Sequence, residues 1–579
     1  MNDDSSRDAA DTVVAASSTE QQLPLFTDDD REYTDTELVS TVEIPTASSA
    51  PRDGRDGNAR GGRDDMRPPR YNDRYESIDQ RPVHQLRHHQ QSQQQHPHHQ
   101  PQQPHQQQQP HQQSHQKQQP HQQHHQHSDA ARVRSLSDNR PVGSLDLAFL
   151  QQLPAPEEAA AVKIYCHPDL LGRLDASRHQ LTRFPPEAIN RALVDTNPYM
   201  ALGNVRFCDR HAAIIAGLDS TFGFTSVPEP ASSDLNSSCL WFVDMGSQRG
   251  VFSEYMLWRR FTHGMAVKGW AVSPQSNPRY RISTSKFHPA AVQVVQRGDL
   301  TVVDGPTRSG EITDPAVIAA LDKSISETLA DVNKTNGGFG PHVVMAAGKV
   351  NGIDYRPHLE QEVEHLLLIV SQLKASVSVL GHGGALILRL VDSYSAAMAD
   401  IVYVLYRVFT TVHCLRPIAS QPTSAEQYIV CLGYRINSND ARTALLRFLD
   451  KYIEALRHHR HQYQHQHQRQ RPPVPPPRPL SATVIDSDSR FNAFWIGVNE
   501  AHVQMQLEAL DTAIRYARDS SLKPSHDPEA IRHQVFIRWG LPLEDRPTSQ
   551  PPPQIAPGAA AIPGHRQHVL AAIRQSKYN

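Results

Sequence analysis

The stretch CLWFVDMGSQRGVFSEYMLW, residues 239–258, decides the fold. Leu240 to Val243 is an unbroken apolar run, the pattern of a strand buried on both faces. The run ends at Asp244, a tight turn with glycines at 246 and 250 follows, and a helix opens around Phe252. Glycine lets a backbone approach a bound nucleoside closely, and ligands of open α/β sheets sit beyond the carboxyl ends of the strands, where the topology switches. A glycine turn alone is weakly specific, because structural turns use the same residues.

Working outward, strands and helices alternate. VKGWAV (267–272), LTVVDG (300–305), HVVMAA (342–347) and ALILRL (385–390) read as further strands. Helical periodicity falls at 315–332, 359–378 and 396–408. A last pair of strands, about 411–416 and YIVCLGYR (428–435), has no helix between and predicts an antiparallel hairpin at the sheet edge. The expected fold is α/β: a Rossmann-like, doubly wound, mostly parallel sheet with helical N- and C-terminal additions and long disordered segments.

The flanks differ in composition. Residues 1–155 read as disordered: an acidic start, then RDGRDGNARGGRDDMRPPR (52–70), then a Gln/His tract from His84 to His127, with too little apolar surface to offset chain entropy. The histidines read as repeat expansion rather than a metal site. Arg132 to Ser135 has the spacing of a basophilic kinase site, a match that is mostly chance. Residues 156–238 read as the helical N-terminal part of the module, with VKIYC (162–166) a short strand candidate. Residues 239–435 are the expected sheet domain and 436–457 a helix. The segment 458–490 is a His/Gln and Pro-rich linker, in which PPVPPPRP (472–479) reads as polyproline II, suited either to an SH3-like partner or to a bare spacer. Residues 491–545 return to helical periodicity, and 546–579 read as a mostly disordered tail with one short helix near 564–576.

Composition narrows the function classes. The net charge of −3 gives no whole-chain sign of a nucleic-acid binder, so any RNA grip must be local. The cysteines, Cys166, Cys208, Cys239, Cys414 and Cys431, form no CxxC pair and read as reduced intracellular thiols. The acidic first residues lack the apolar run of a secretory signal, and no stretch reaches ~18 apolar residues, so no membrane span is expected.

DMGSQRGVFSEYMLWRR resembles the first motif of FtsJ-type methyltransferases, D-x-G-x-x-P-G-G-F-S, and SEYMLWRR resembles the eukaryotic cap-1 mRNA 2′-O-ribose methyltransferases in particular. Further segments follow in the family's order. TNPYM (196–200) resembles N-P-Y-E, SGEIT (309–313) resembles G-D-I-T, and RPIASQPTSAEQYIVCLGY (416–434) resembles K-P-x-x-S-R-P-x-x-S-E-R-Y-V-V-C-K-G. Residues 507–542 resemble the helical segment after the family's catalytic domain. The resemblance implies S-adenosylmethionine as cofactor, held around Asp244, Gly246, Ser247, Gly250, Phe252, Glu311 and Ile312. It implies capped mRNA or another RNA as partner, with Arg191 and Glu426 on the RNA side, and a nuclear setting.

Family enzymes methylate the 2′-hydroxyl of the first transcribed nucleotide. That hydroxyl is protonated near neutral pH and must be aimed and deprotonated as it attacks. The family uses a Lys-Asp-Lys-Glu tetrad, in which a lysine of lowered pKa meets the hydroxyl. Here DRHAAIIAGLD (209–219) puts Ile214 at the first lysine, AAGK (346–349) puts Ala347 at the aspartate, LILRLVD (386–392) puts Arg389 at the second lysine, and Glu426 remains. Isoleucine accepts no proton and arginine keeps its own. Lys349 reads as a surface lysine on a turn, and a one-residue shift at Ile214 recovers no amine. In the cofactor turn Arg249 replaces proline and Val251 replaces glycine, a costly change if position 251 needs φ > 0. RALVD (191–195) keeps one arginine of the family's R-A-R-T-R. Two readings follow: a catalytically impaired pseudo-enzyme that scaffolds or binds RNA, or an active methyltransferase with a rearranged site around Arg389, Glu426 and Lys349.

Overall fold

The computed structural model describes residues 133–138, 147–151, 163–197, 199, 207–225, 239–276, 280–336, 340–350, 355–467, 475–524 and 527–541. Its strands are β1 (Arg134–Ser137), β2 (Leu240–Met245), β3 (Val267–Val272), β4 (Leu300–Val302), β5 (Val343–Ala346), β6 (Ala385–Val391), β7 (Phe409–Leu415) and β8 (Glu426–Tyr434). They form one 8-stranded sheet in the order β1-β7-β8-β6-β5-β2-β3-β4. The pairs from β4 through β6 are parallel, whereas β8 runs against both β6 and β7, and β1 runs against β7. This is the doubly wound α/β sheet that the strand–helix alternation predicts.

The apolar run of β2 is explained by cover on both faces. Trp241, Val243 and Met245 join one core with the helices Pro315–Asn336, His358–Val379 and Ala396–Val408. Leu240 and Phe242 join the other, with the helices Ala212–Phe222 and Val251–Thr262. Alternate residues thus serve opposite cores, as the two-residue period requires. Gly269 on β3 is forced by this packing: a Cβ there would lie 2.2 Å from the Phe242 ring. From β2 the chain winds outward through β3 to β4, then returns to place β5 on the other side of β2. The direction of winding reverses between β2 and β5, and the crevice above their carboxyl ends is the expected ligand position.

A third core joins the two ends of the described chain. Leu171, Leu174 and Leu181 of the helix Pro168–Leu181, with Ile189 and Leu193 of Pro186–Thr196, pack on Leu507, Leu510 and Ile514 of the helix Ser489–Arg518. Arg178 anchors this layer to the sheet. It donates to both oxygens of Asp392, 2.8 Å each, and to Gln506 Oε1 at 2.9 Å.

Several expectations are corrected. The hairpin β7–β8 is antiparallel, but β8 inserts between β6 and β7, and β7 is not the edge because β1 pairs with it. β1 lies inside the stretch expected to be disordered. It is held by the ladder to β7, by buried Leu136 and by Asp138, which accepts from Arg435 at 2.8 Å. Phe149 and Leu150 in the same stretch are also buried. VKIYC forms an isolated bridge, Ile164 to Ser395, rather than a strand. A helix Pro289–Gln296 between β3 and β4 was not foreseen. The helix expected to stop at 457 runs Asn439–His467.

The proline-rich segment is no free ligand over its described part. Pro476, Arg478, Pro479 and Leu480 are buried, and Arg478 pairs with buried Asp400 at 2.7 Å. An SH3-like partner needs an exposed polyproline helix, and 475–480 do not offer one. The acidic start, the Gln/His tract and the tail helix near 564–576 lie outside the described residues. Among the described residues no helix is long and apolar enough to cross a membrane.

Candidate active site

The turn after β2 is braced from within. The Asp244 carboxylate, 1% exposed, accepts from Ser247 Oγ, from Ser253 N at 2.9 Å and from Ser253 Oγ at 2.8 Å. Burial pushes the Asp244 carboxyl up, against the opposing pull of these hydrogen bonds. Ser247 Oγ in turn accepts from Phe252 N at 3.3 Å, which ties the turn to the first turn of the helix. Asp244 and Ser247, expected as ligand contacts, therefore act on the loop.

Gly246 has φ +81, and a Cβ there would lie 2.7 Å from the Cα of Gly348 in the turn after β5. The two glycines bring the β2 and β5 turns together at the switch point. Gly250 has φ +76, and a Cβ there would lie 3.1 Å from both Ile282 and Phe287. The expected strain at Val251 is absent, since its φ is −64 and its ψ −30. Arg249 carries it instead, at φ 56 and ψ 11, a region that L side chains enter at a cost.

Further groups of the expected site lie along the same sheet edge. After β4, Asp304 Oδ1 is shielded from solvent with no hydrogen-bond partner among the described residues. An orphaned acceptor of this kind fits a ligand bearing amine or hydroxyl donors. Gly310, at φ +63, lets its backbone press on Ser273, where a Cβ would lie 2.0 Å from the carbonyl oxygen. Burial pushes the next residue, Glu311, up, opposed by a hydrogen bond with Ser276. Ile312 is buried in the core.

On the other side of the switch point, Arg389 and Glu426 meet. Arg389 stands opposite Tyr428 in the β6–β8 register and Glu426 opposite Val391, so both project to one face. The Arg389 guanidinium donates to Glu426, and Ser420 Oγ donates to the other carboxylate oxygen at 2.8 Å. Burial opposes ionisation of Glu426, but the charges of Arg389 and His211, the Ser420 hydrogen bond and the charge of Lys349 together hold its carboxyl below the usual range. Arg389 thus has a carboxylate neighbour, supplied by Glu426 rather than by position 347.

The remaining sequence candidates separate. Ile214, 1% exposed, and Ala347, 5% exposed, lie in the apolar core on that face. Arg191, expected toward RNA, donates to the Tyr516 carbonyl at 3.1 Å and ties two helices. Lys349, expected on the surface, is half-buried, and its charge acts on both Glu426 and His365. Its turn is pinned by Val350 N, which donates to His365 Nε2 at 3.3 Å. Burial first, then the Arg389 and Lys349 charges, depress His365 to about 3, so it is neutral and can accept.

Sequence reasoning missed Asp209, His211, Glu254 and Asp304. Glu254, fully buried, gathers Cys208 N at 2.7 Å and His288 N. His211 Nδ1 lies 2.5 Å from Asp209 Oδ1, and the same oxygen accepts His211 N at 2.9 Å. A signal for the pair was available: His211 stands one helical turn before Ile214, with an aspartate two residues earlier.

Residues 215–434 match the family model described as FtsJ-like methyltransferase. Human cap-specific mRNA (nucleoside-2′-O-)-methyltransferase 1 is 28% identical over 400 residues, covering 67% of this chain and 44% of that protein. The Xenopus laevis protein of that name is 26% identical over 388 residues, covering 66% and 42%. The chain spans less than half the length of these relatives. Among solved structures, a ribosomal RNA methyltransferase from Plasmodium falciparum covers 40% of this chain and 99% of its own, at 15% identity and a TM-score of 0.26. The strand order assigns the fold.

Proposed function

We propose that the protein, whose residues 215–434 match the FtsJ-like methyltransferase model and which is similar to cap-specific mRNA 2′-O-methyltransferase 1, binds S-adenosylmethionine and capped or other RNA, with methyl transfer impaired. When bound, S-adenosylmethionine supplies an electrophilic methyl on a sulfonium. The glycine-lined turns at Gly246 and Gly250, the first helical turn at Phe252, the buried Asp304 oxygen without a partner among the described residues and the Glu311–Ile312 segment are the groups proposed to hold it. Asp244 and Ser247 support it by fixing the turn. The cradle fits a nucleoside: the close approach at Gly246 is one that only glycine permits, and Asp304 has an acceptor to offer.

The observation that carries the impairment is the state of the tetrad positions. Ile214 and Ala347 are core residues, and Arg389 is an always-protonated group committed to Glu426. Loss of a positioned base costs ~10²–10⁴ in rate. The protein therefore acts chiefly by occupying RNA ends or by scaffolding. Family resemblance puts that action in the nucleus. The active reading, with a rearranged site, is favoured by one observation: Lys349 and His211 both act on Glu426, so ionisable groups have gathered where the lysines are gone.

Titration calorimetry with S-adenosylmethionine, and mobility shift with capped RNA whose first nucleotide lacks a 2′-O-methyl, test the proposal. Saturable binding of both is expected, and Glu426→Ala should weaken the RNA complex more than the cofactor complex. No cofactor binding at millimolar concentration would overturn it.

A further inference from the structure

The segment RVRS (132–135) takes no part in the crevice. It sets arginines three residues and one residue before a serine, a charge pattern that basophilic protein kinases read in extended substrates. Spacing alone is weak, because short basic matches arise by chance. The structure adds where the serine stands. Ser135 is exposed and lies in β1, which is already extended and is the last strand of the sheet. β1 pairs with β7 alone, in a register that runs from Arg134↔Cys414 to Ser137↔Thr411, and no strand flanks its outer edge among the described residues. A short edge strand opens at lower cost than a central one. Ser137, with arginines three and five residues before it, meets the basic spacing too, but it is half-buried.

The two faces of β1 decide what a phosphate would do there. Alternation sends Leu136 and Asp138 to one face and Ser135 and Ser137 to the other. On the first face Leu136 enters the core, and Asp138 accepts from Arg435 at 2.8 Å with Arg407 at 3.8 Å. Arg134 shares that face. A Cβ on Gly497, in the helix Ser489–Arg518, would lie 3.6 Å from its Nη1. On the second face Ser135 Oγ lies 2.7 Å from His413 Nδ1, and the His413 ring packs on Phe222 with centroids 5.1 Å apart. Burial pushes the His413 imidazole down to about 4, so at neutral pH it is uncharged and accepts from the serine hydroxyl. Arg134, Arg407 and Arg435 therefore stand across the sheet from that hydroxyl.

We propose that Ser135 is a phosphorylation site for a basophilic protein kinase, and that its phosphate loosens β1 from β7. The γ-phosphorus of ATP bonds to Ser135 Oγ as its bond to the β,γ-bridging oxygen breaks. ADP leaves with the electron pair, and the hydroxyl proton passes to the kinase and on to water. The product carries about −1.5 to −2 charge at pH 7 where a hydrogen-bond donor stood. As a dianion it only accepts, so it cannot replace the bond given to His413 Nδ1. The arginines that would pair with it are turned to the opposite face. The ladder to β7 weakens, and the edge of β7 opens.

The test incubates the full-length protein with magnesium, ATP and the catalytic subunit of cyclic-AMP-dependent protein kinase, and maps the phosphate by peptide mass spectrometry. Phosphate on Ser135 is expected. Ser135→Ala, which should melt as the wild type does, should lose it, and Arg132→Gln should acquire it more slowly. In the phosphorylated protein, amide hydrogen exchange at residues 134–138 and 411–414 should speed about 10-fold, the scale of one lost hydrogen bond, while β2 and β5 exchange as before. Absence of phosphate from Ser135, including its transfer to Ser137 instead, overturns the site. Phosphate on Ser135 with exchange in β1 unchanged overturns the loosening.

Discussion

Arg178→Met should be among the most damaging single substitutions in the domain. Arg178 and Asp392 are 1% and 0% exposed, and their bidentate pair is joined by Gln506. The substitution strands a buried carboxylate and deprives Gln506 Oε1 of a donor. Breaking a buried ion pair from one side costs about 3–5 kcal/mol. At ~2 °C per kcal/mol, the lower end of the usual conversion, the thermal midpoint should fall by roughly 6–10 °C. The effect reaches the site, because Asp392 follows β6 three residues after Arg389 and holds a φ of 43 that needs outside support. Circular dichroism melts of Arg178→Met, Asp392→Asn and the double variant read this out. The double variant removes the stranded charge and should recover part of the loss. A midpoint within about 1 °C of wild type in Arg178→Met, or strict additivity in the double, refutes the reasoning.

Gly246→Ala should lower S-adenosylmethionine affinity at least ~10-fold and stability by ~1–2 kcal/mol, since φ +81 and a 2.7 Å approach to Gly348 leave no room for a methyl; calorimetry and melting check both. Arg249→Gly should raise stability by about 0.5–1 kcal/mol, the left-handed strain relieved exceeding the entropy glycine adds to the unfolded chain; a lower melting midpoint would contradict this. Burial pushes Glu362 up to about 7, against the hydrogen bonds it accepts from Ser395. Its folded pKa exceeds the unfolded value of about 4.3, so the folded state holds the extra proton and stability falls as pH rises from about 4.3 to 7. Glu362→Gln should flatten the wild-type decline in melting midpoint across that window, and parallel curves would refute the assignment.

How much was legible follows from residue pattern. β2, β3, β5 and β6 are apolar on both faces, so their runs stand out, and Ala396–Val408 matches its periodicity end to end. β1 does not stand out, because RSLS buries little beyond Leu136 and owes its place to β7 and Arg435. Pro289–Gln296 carried a readable start, proline at its first turn with His288 capping Ala290 N, but lay between two stronger strands. At the site, motif order placed Asp244, Gly246, Arg389 and Glu426 on the sheet edge where they stand. What the sequence hid was direction: Asp244 turns inward to serines, Arg191 turns to Tyr516, and Lys349 is half-buried rather than out in solvent.

The rate of methyl transfer, measured under single turnover with S-adenosylmethionine and capped RNA beside the human relative on the same substrate, bears most directly on the proposed impairment. With both ligands bound, transfer should run at least ~10²-fold slower than in the homologue. A rate equal to the homologue's would mean that the residues now at positions 214, 347 and 389 cost the chemistry nothing.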